Sequence, residues 1–254
     1  MPERIVLLAR KSTATAILYH ALAPHFDVQV VYELPPSARA LLRSRIKRLG
    51  WWKVFGQVLF QVIVAKPQAR WSIARQRAIL QERGASDAAI PGERTRICVS
   101  VNGEDCWQAV KELEPKVVVI NGTRILSART IGALGIPVLN THVGITPMYR
   151  GVHGAYWALV RGDAAHCGVT VHLVDEGIDT GAVLYQTTIA PTASDNFSTY
   201  PTLQMVAGSA LMVKAVGEIM AGTARPVIPA GVSARWYHPT LWTYWYNRIV
   251  KGVR

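Results

Sequence analysis

An asparagine and a histidine one residue apart, Asn140-Thr141-His142, sit where the apolar run Val138-Leu139 gives way to a loop bearing Gly144, Pro147 and Gly151. Side chains two apart on a strand project to the same face. An amide and an imidazole at a strand tip can therefore both donate to one oxygen on which negative charge is building, which is what acyl transfer requires. Downstream, Asp179 lies in the loop Asp175-Glu-Gly-Ile-Asp-Thr-Gly181, after an apolar stretch that carries His172. A carboxylate beside a histidine raises its pKa and can accept a proton from an attacking amine. Each residue also has a plain structural reading. His142 or His172 can be a hydrogen-bonded structural histidine, Asp179 a turn residue ahead of Thr180-Gly181, and Asn140 a cap on its strand end. Spacing alone leaves these open.

The elements that must position these residues follow from apolar patterning. Arg4–Ala9 is a short continuous apolar run of the kind buried in a parallel sheet, followed by a helix from Ser12 to Leu22 with Ser12 or Thr13 as N-cap and a second strand from Val28 to Tyr32. Strands are predicted at 96–101, 116–121 and 138–140, with helices at 104–113 and 127–134 between them. Such alternation indicates an α/β fold with a doubly wound, mostly parallel sheet, and ligands of such sheets bind beyond the carboxyl ends of strands. The loops after Ile120 and Leu139 are thus the places to look. Past residue 140 the pattern changes to strands at 167–174 and 182–189 and a long helix at 197–220. The expected organisation is a catalytic domain over 1–222, a basic helical insertion at 34–86, and an irregular, aromatic-rich extension at 223–254.

The block from Asn121 to Gln186 resembles the core of the formyltransferases that use 10-formyltetrahydrofolate, a family that includes glycinamide ribonucleotide, methionyl-tRNA and sugar N-formyltransferases. The resemblance rests on Asn140-Thr-His142, on Pro147-Met-Tyr-Arg-Gly151, and on Gly168-Val-Thr-Val-His-Leu-Val-Asp-Glu-Gly-Ile-Asp-Thr-Gly181; Arg124-Ile-Leu-Ser127 is similar to the family's folate-pocket turn. Several separated motifs in the right order are far more specific than one. The resemblance implies a Rossmann-like formyltransferase fold and one-carbon transfer without a metal. It implies that Asn140 and His142 polarise the formyl oxygen, and that Asp179 positions His142 and helps remove the amine proton. Arg124, Ile125, Leu126, Val174, Asp175, Gly177 and Asp179 would bind the folate; Arg150, Gly151, His153 and His172 would meet the acceptor.

This chain departs from the family in places. Gly144-Ile-Thr-Pro147 stands where Ser-Leu-Leu-Pro is common. Ala9-Arg-Lys-Ser-Thr-Ala-Thr15 offers no glycine for a phosphate-gripping loop after the first strand, which argues against the purine-pathway substrate. Residues 221–254 are too few for the C-terminal oligonucleotide-binding barrel of methionyl-tRNA enzymes. The expected acceptor is therefore a nucleotide-linked amino sugar of surface polysaccharide (lipopolysaccharide) synthesis; glycinamide ribonucleotide, an amino acid or a hydroxylamine are alternatives. A hydrolase of the same folate and a non-catalytic protein that binds membrane or polymer are the rival classes. The tail aromatics Trp236, Tyr237, Trp242, Tyr244, Trp245 and Tyr246 can stack on a nucleotide base or pack on the core.

With half its 254 residues apolar and 17% charged, the chain should fold around a sizeable core. Cys98, Cys106 and Cys167 form no Cys-x-x-Cys pair and read as reduced thiols of a cytoplasmic protein, and neither a signal peptide nor a membrane-spanning helix is expected. The net charge of +12 is local: between Leu34 and Ser86 lie eleven basic residues and one acid, Glu82. That segment reads as two or three helices broken at Gly50 and at Lys66-Pro67, with Trp51, Trp52, Phe55, Val58, Leu59, Phe60, Val62 and Ile63 on an apolar face. It can pack on the core, form a homodimer, or contact the inner face of a membrane; nucleic acid is the least favoured partner.

Overall fold

The computed structural model describes residues 2–254. In chain order its elements are β1 (Arg4–Ala9), α1 (Thr13–Leu22), β2 (Asp27–Glu33), α2 (Ala38–Leu49), α3 (Trp51–Phe60), a π-helical turn Gln61–Ala65, α4 (Lys66–Trp71), α5 (Ile73–Glu82), β3 (Thr95–Cys98), α6 (Glu104–Lys111), β4 (Val117–Asn121), α7 (Ala128–Leu134), β5 (Val138–His142), β6 (Arg150–Gly151), α8 (Gly154–Val160), β7 (Gly168–Leu173), β8 (Val183–Thr188), α9 (Tyr200–Met220), β9 (Arg235–Trp236) and α10 (Leu241–Lys251). Seven strands form one sheet in the order β3-β2-β1-β4-β5-β7-β8. The first five are parallel, while β7 and β8 are antiparallel to their neighbours. The expected doubly wound, mostly parallel α/β sheet is what the chain forms.

Burial explains the continuous apolar runs. Alternate residues of β1 enter different cores: Ile5 and Leu7 join α1 and α9 on one face, and Val6 and Leu8 join α6 and α7 on the other. A strand covered on both faces needs no polar alternation. Ser12 caps α1 by accepting from the Thr15 amide, and Ser127 caps α7 by accepting from the Thr130 amide, so both starts follow from hydroxyl residues with a free oxygen at the N-cap. Helix α9 is long and apolar enough to cross a membrane by length and composition. Its Met205, Met212, Ala215 and Val216 are nevertheless taken up by the sheet core.

Three expectations change. The chain does not break at Lys66-Pro67. The preceding turn widens so that the Lys66 amide donates to the Gln61 carbonyl, and Pro67 then falls in the first turn of α4, where no amide donor is needed; the break comes at Ser72. The segment 34–86 is not all insertion. Because β2 and β3 are parallel neighbours, their connection must cross over the sheet, and α5, with Leu80 in the core, supplies that crossover. The tail is not irregular either: β9 pairs with β6, and Thr240 caps α10, whose Tyr244 is buried against Phe60 and Tyr156.

Gly208 lets α9 lie close to β5 and β7. A Cβ there would sit 2.7 Å from Thr141 Cγ2 and 2.8 Å from Val169 Cγ2. Gly208→Val should cost about 1–3 kcal/mol through overpacking, read as a lower urea midpoint. An unchanged midpoint would show that the helix can lift without cost.

Candidate active site

The carboxyl end of β5 carries the amide and imidazole, and the adjacent antiparallel β7 sets what faces them. Register pairs Asn140 with His172. The His172 Nδ1–H donates to the Leu173 carbonyl at 2.7 Å, which leaves Nε2 to accept from Asn140 Nδ2 at 3.2 Å. After β7 the chain turns through Asp175, whose carboxylate accepts from the Gly177 amide and the Thr180 hydroxyl. This turn delivers Asp179 with φ at +53°, in the left-handed region that Asp tolerates better than most residues. The structure brings Asp179 Oδ1 to 3.3 Å from His142 Nδ1 and 3.5 Å from Asn140 Nδ2. The loop that starts at Arg150 holds it there: the Gly151 amide donates to Asp179 Oδ2 at 3.0 Å, and the Arg150 guanidinium donates to the Ile178 carbonyl at 2.9 Å.

His142 is 4% exposed, and its other nitrogen is committed. Its Nε2–H donates to the Tyr149 carbonyl at 2.7 Å. Gly144 permits this closeness, since a Cβ there would lie 2.2 Å from that same carbonyl oxygen. Burial pushes the His142 pKa down, but the hydrogen bond and charge of Asp179, helped by the Tyr149 carbonyl, outweigh it and raise the pKa above the ordinary 6.5. Burial likewise pushes Asp179 up, yet His142 and the Gly151 amide bring it down to about 2. Each partner thus favours the charged form of the other, an imidazolium beside a carboxylate. The surrounding histidines are neutral: burial lowers His172 and His153, and brings His238 to about 4.

These groups open into a cavity of about 390 Å³, within the range of small-molecule sites. One wall is formed by Arg124, Ile125, Leu126, Val174, Asp175, Gly177 and Asp179, with Asn140, His142, Gly151 and His172 at its end. Ile125 stands 53% exposed in this wall, an apolar edge open to a flat ligand. All seven residues expected to meet the folate are thus brought together. Arg124 plays a different part from the one its charge suggests. Its guanidinium is spent on Glu33 Oε1 at 2.8 Å, on the Val99 carbonyl and on the Leu34 carbonyl. Glu33, 3% exposed, also accepts from the amides of Arg124 and Val101. Only the turn that Arg124 sets, not its charge, is offered to a ligand.

Two acceptor-side expectations are not met. Arg150 does not line the cavity, because it braces the Asp179 loop from outside. His153 lies one layer behind, its Nε2 at 2.9 Å from His238 Nδ1 and its ring against Phe197; His238 takes its place in the wall. The opposite wall holds Trp236 and Tyr237, for which stacking on a ligand was one of two readings, together with residues that sequence reasoning did not place there: Arg45, Arg48 and Leu49 from α2, Gln57 from α3, and Arg235 and His238 from the tail. The aromatic cluster of the tail was the one available signal. Glu33 gave none beyond being an acid at a strand end, and Tyr149 acts through its carbonyl, which no side chain announces.

The model of the family described as Formyl transferase matches residues 60–216, more than half of the chain. That span includes α4 and α5, in keeping with their place in the crossover. A methionyl-tRNA formyltransferase of Pelotomaculum thermopropionicum is 29% identical over 146 residues, 57% of this chain and 46% of its own length. This chain spans about half the length of the curated relatives it matches. Among solved structures, a sugar N-formyltransferase from Shewanella sp. aligns over 92% of this chain and 76% of its own with a TM-score of 0.58 at 12% identity. An N-formyltransferase from Helicobacter canadensis, in complex with folinic acid and dTDP-3-aminofucose, aligns over 92% of this chain and 70% of its own with a TM-score of 0.55 at 14% identity. At such identities these structures speak for the fold alone.

The ion pair makes a testable demand. Asp179 contributes stability above its ordinary 3.8, lost as pH falls towards about 2; His142 contributes it fully below 6.5, lost as pH rises through its raised value. The pair is complete between those limits. In Asp179→Asn, only the Tyr149 carbonyl is left to oppose burial, the largest influence on His142, so its NMR titration midpoint should move from above 6.5 to below it. A midpoint that stays put would mean that another group holds the proton.

Proposed function

Because this chain belongs to the formyl transferase family, we propose that it moves a formyl group from 10-formyltetrahydrofolate to a primary amine, with Asn140, His142 and Asp179 as the residues at the reacting atoms. The observation that carries the reading is the meeting of Asn140 Nδ2, His142 Nδ1 and Asp179 Oδ1 within 3.5 Å at the end of one cavity. The folate wall fits its ligand through the exposed apolar edge of Ile125 and the turns at 122–126 and 174–179. When bound, the folate supplies an activated formyl carbon.

The residues divide the work by their proton states. Neutral amine attack on a formyl group builds one negative oxygen and leaves a nitrogen that must lose a proton. Asn140 Nδ2 and the Nδ1–H of His142 both rest on Asp179 Oδ1 at the end of the cavity, and, since Nε2–H is held by Tyr149, they are the donors that can turn from the carboxylate to the oxygen as its charge builds. At about 2, Asp179 is too weak a base to act at rest. As the His142 proton shifts towards the oxygen, however, Asp179 loses the cation that depresses it and becomes able to take the amine proton; when the bond from the formyl carbon to the folate nitrogen then breaks, the oxygen returns its proton to His142 and the leaving nitrogen takes up the proton that Asp179 removed from the amine. His172 keeps Asn140 oriented, because its acceptor nitrogen fixes which face of the amide presents hydrogens.

On the acceptor side, Arg45, Arg48 and Arg235 line the opposite wall beside Trp236 and Tyr237, and none of the three forms an ion pair with a carboxylate among the described residues. Unpaired guanidinium groups beside aromatic rings suit a phosphate-bearing, ring-containing acceptor, so the reading is a nucleotide-linked amino sugar. The Helicobacter canadensis neighbour holds such a compound. The curated relatives favour a second reading, in which the amine belongs to an aminoacyl-tRNA.

Formation of tetrahydrofolate, followed with nucleotide-amino sugars, glycinamide ribonucleotide and methionyl-tRNA in turn, tests both. Asn140→Ala, His142→Ala and Asp179→Asn should each slow transfer by about 10²-fold or more. Unchanged rates in all three variants would sink the mechanism, and activity on methionyl-tRNA alone would replace the sugar reading with the second.

A further inference from the structure

Three helices leave apolar faces uncovered. Helix α2 has no buried residue along its whole length, and Leu41, Leu42 and Ile46 are exposed with Arg39, Arg43, Lys47 and Arg48 among them. Helix α3 and the π turn that continues it expose Trp51, Trp52, Phe55, Val58, Val62 and Ile63. Helix α10 buries Tyr244 and Asn247 but exposes Trp242, Trp245, Tyr246, Ile249 and Val250, an apolar stripe at helical spacing on the side where a water-facing helix would be polar. The stripes of α3 and α10 are joined, with the Trp52 and Trp242 rings stacked at 5.2 Å and Trp52 stacked in turn on Phe55. Scattered exposed apolar residues need no explanation, but a contiguous patch of this kind marks an interaction surface.

The charge around the patch has one sign. Neither residues 34–81 nor residues 219–254 contain a single Asp or Glu. A second copy of this chain seated on the patch would set these basic segments against one another with no carboxylate to answer them. A nucleic acid would satisfy the charges, but it would leave Val58, Val62, Ile63, Ile249 and Val250 with nothing to bury against, since aliphatic side chains do not stack on bases. An anionic lipid surface answers both: acyl chains and glycerol take the Trp and aliphatic side chains, and phosphate headgroups take the Arg and Lys.

We propose that the face formed by α2, α3 and α10 docks this protein on the surface of an anionic lipid bilayer. The inference is independent of the formyl-transfer reading, although the two meet in the structure: Arg45, Arg48 and Leu49 of α2 are also a wall of the catalytic cavity. Docking would therefore hold that wall at the interface.

Co-sedimentation of the full chain with phosphatidylglycerol–phosphatidylcholine vesicles and with pure phosphatidylcholine vesicles tests this without any turnover, so failure here would leave the catalytic proposal standing. The protein should pellet with the anionic vesicles, weakly with the neutral ones, and be released by high salt. The triple variant Arg39→Gln, Arg43→Gln, Lys47→Gln should raise the lipid concentration for half-binding by about 30-fold or more. The triple variant Trp51→Ser, Phe55→Ser, Trp245→Ser should raise it by about tenfold or more. Far-UV circular dichroism of both variants checks that folding is intact; should either misfold, the salt dependence of the wild-type chain still decides the matter. Absence of pelleting with anionic vesicles overturns the proposal, as does pelleting that neither salt nor a folded variant alters. A concentration-dependent dimer, or retention by single-stranded RNA, in a protein that ignores vesicles overturns it in favour of those partners.

Discussion

A histidine removed from water keeps its proton only if a negative charge is fixed within hydrogen-bond reach, and the functional end of this sheet is arranged to meet that condition for His142. Asp179 supplies the charge from 3.3 Å. The carboxylate has in turn to be brought from a loop 37 residues downstream of the histidine and kept from turning away to solvent. The antiparallel pairing of β7 with β5 does the first, because it returns the chain to the strand tip that carries Asn140 and His142. The Gly151 amide and the Arg150 guanidinium do the second, gripping the carboxylate and the backbone just before it. The absence of a side chain on Gly144 completes the arrangement by letting the Tyr149 carbonyl close on the far nitrogen. Removing any one of these supports costs more than its own hydrogen bond, because it frees a charge inside the protein.

Much of this could be read from residue types. Strands buried on both faces announce themselves by unbroken apolar runs, and so β1, β4 and β5 were legible; a hydroxyl cap placed α1. The meeting of Asn140, His142 and Asp179 was legible because their order along the chain resembles a known pattern and because an amide, an imidazole and a carboxylate have few reasons to recur in that order by chance. What was not legible depended on groups that carry no residue-type signal. The Tyr149 carbonyl is backbone. Glu33 looks like any acid at the end of a strand, yet it fixes the turn at Arg124 by accepting two amides and a guanidinium hydrogen bond. Arg124 takes its expected place in the wall and Arg150 does not, but neither offers its charge to the cavity, because each guanidinium is occupied by oxygens of its own chain.

The basic segment shows where patterning gives the wrong partition. Its charge and its aromatic residues set it apart, so the whole of 34–86 read as an addition. Topology overrules composition for α5, because two adjacent parallel strands cannot be joined without crossing the sheet, and the residues that cross must bury a face. For α2 no such demand exists, and it buries nothing. The result is a continuous piece of chain whose beginning belongs to the surface and whose end belongs to the core.

The pairing of β9 with β6 ties together residues that are 85 positions apart, Gly151 with Trp236. The backbone amide that steadies Asp179 is thus on a strand whose partner comes from the tail. Residues 235–238 therefore do two things at once, lining the cavity and buttressing the strand that carries this amide, so that loosening the tail would free the Asp179 loop as well as open the cavity.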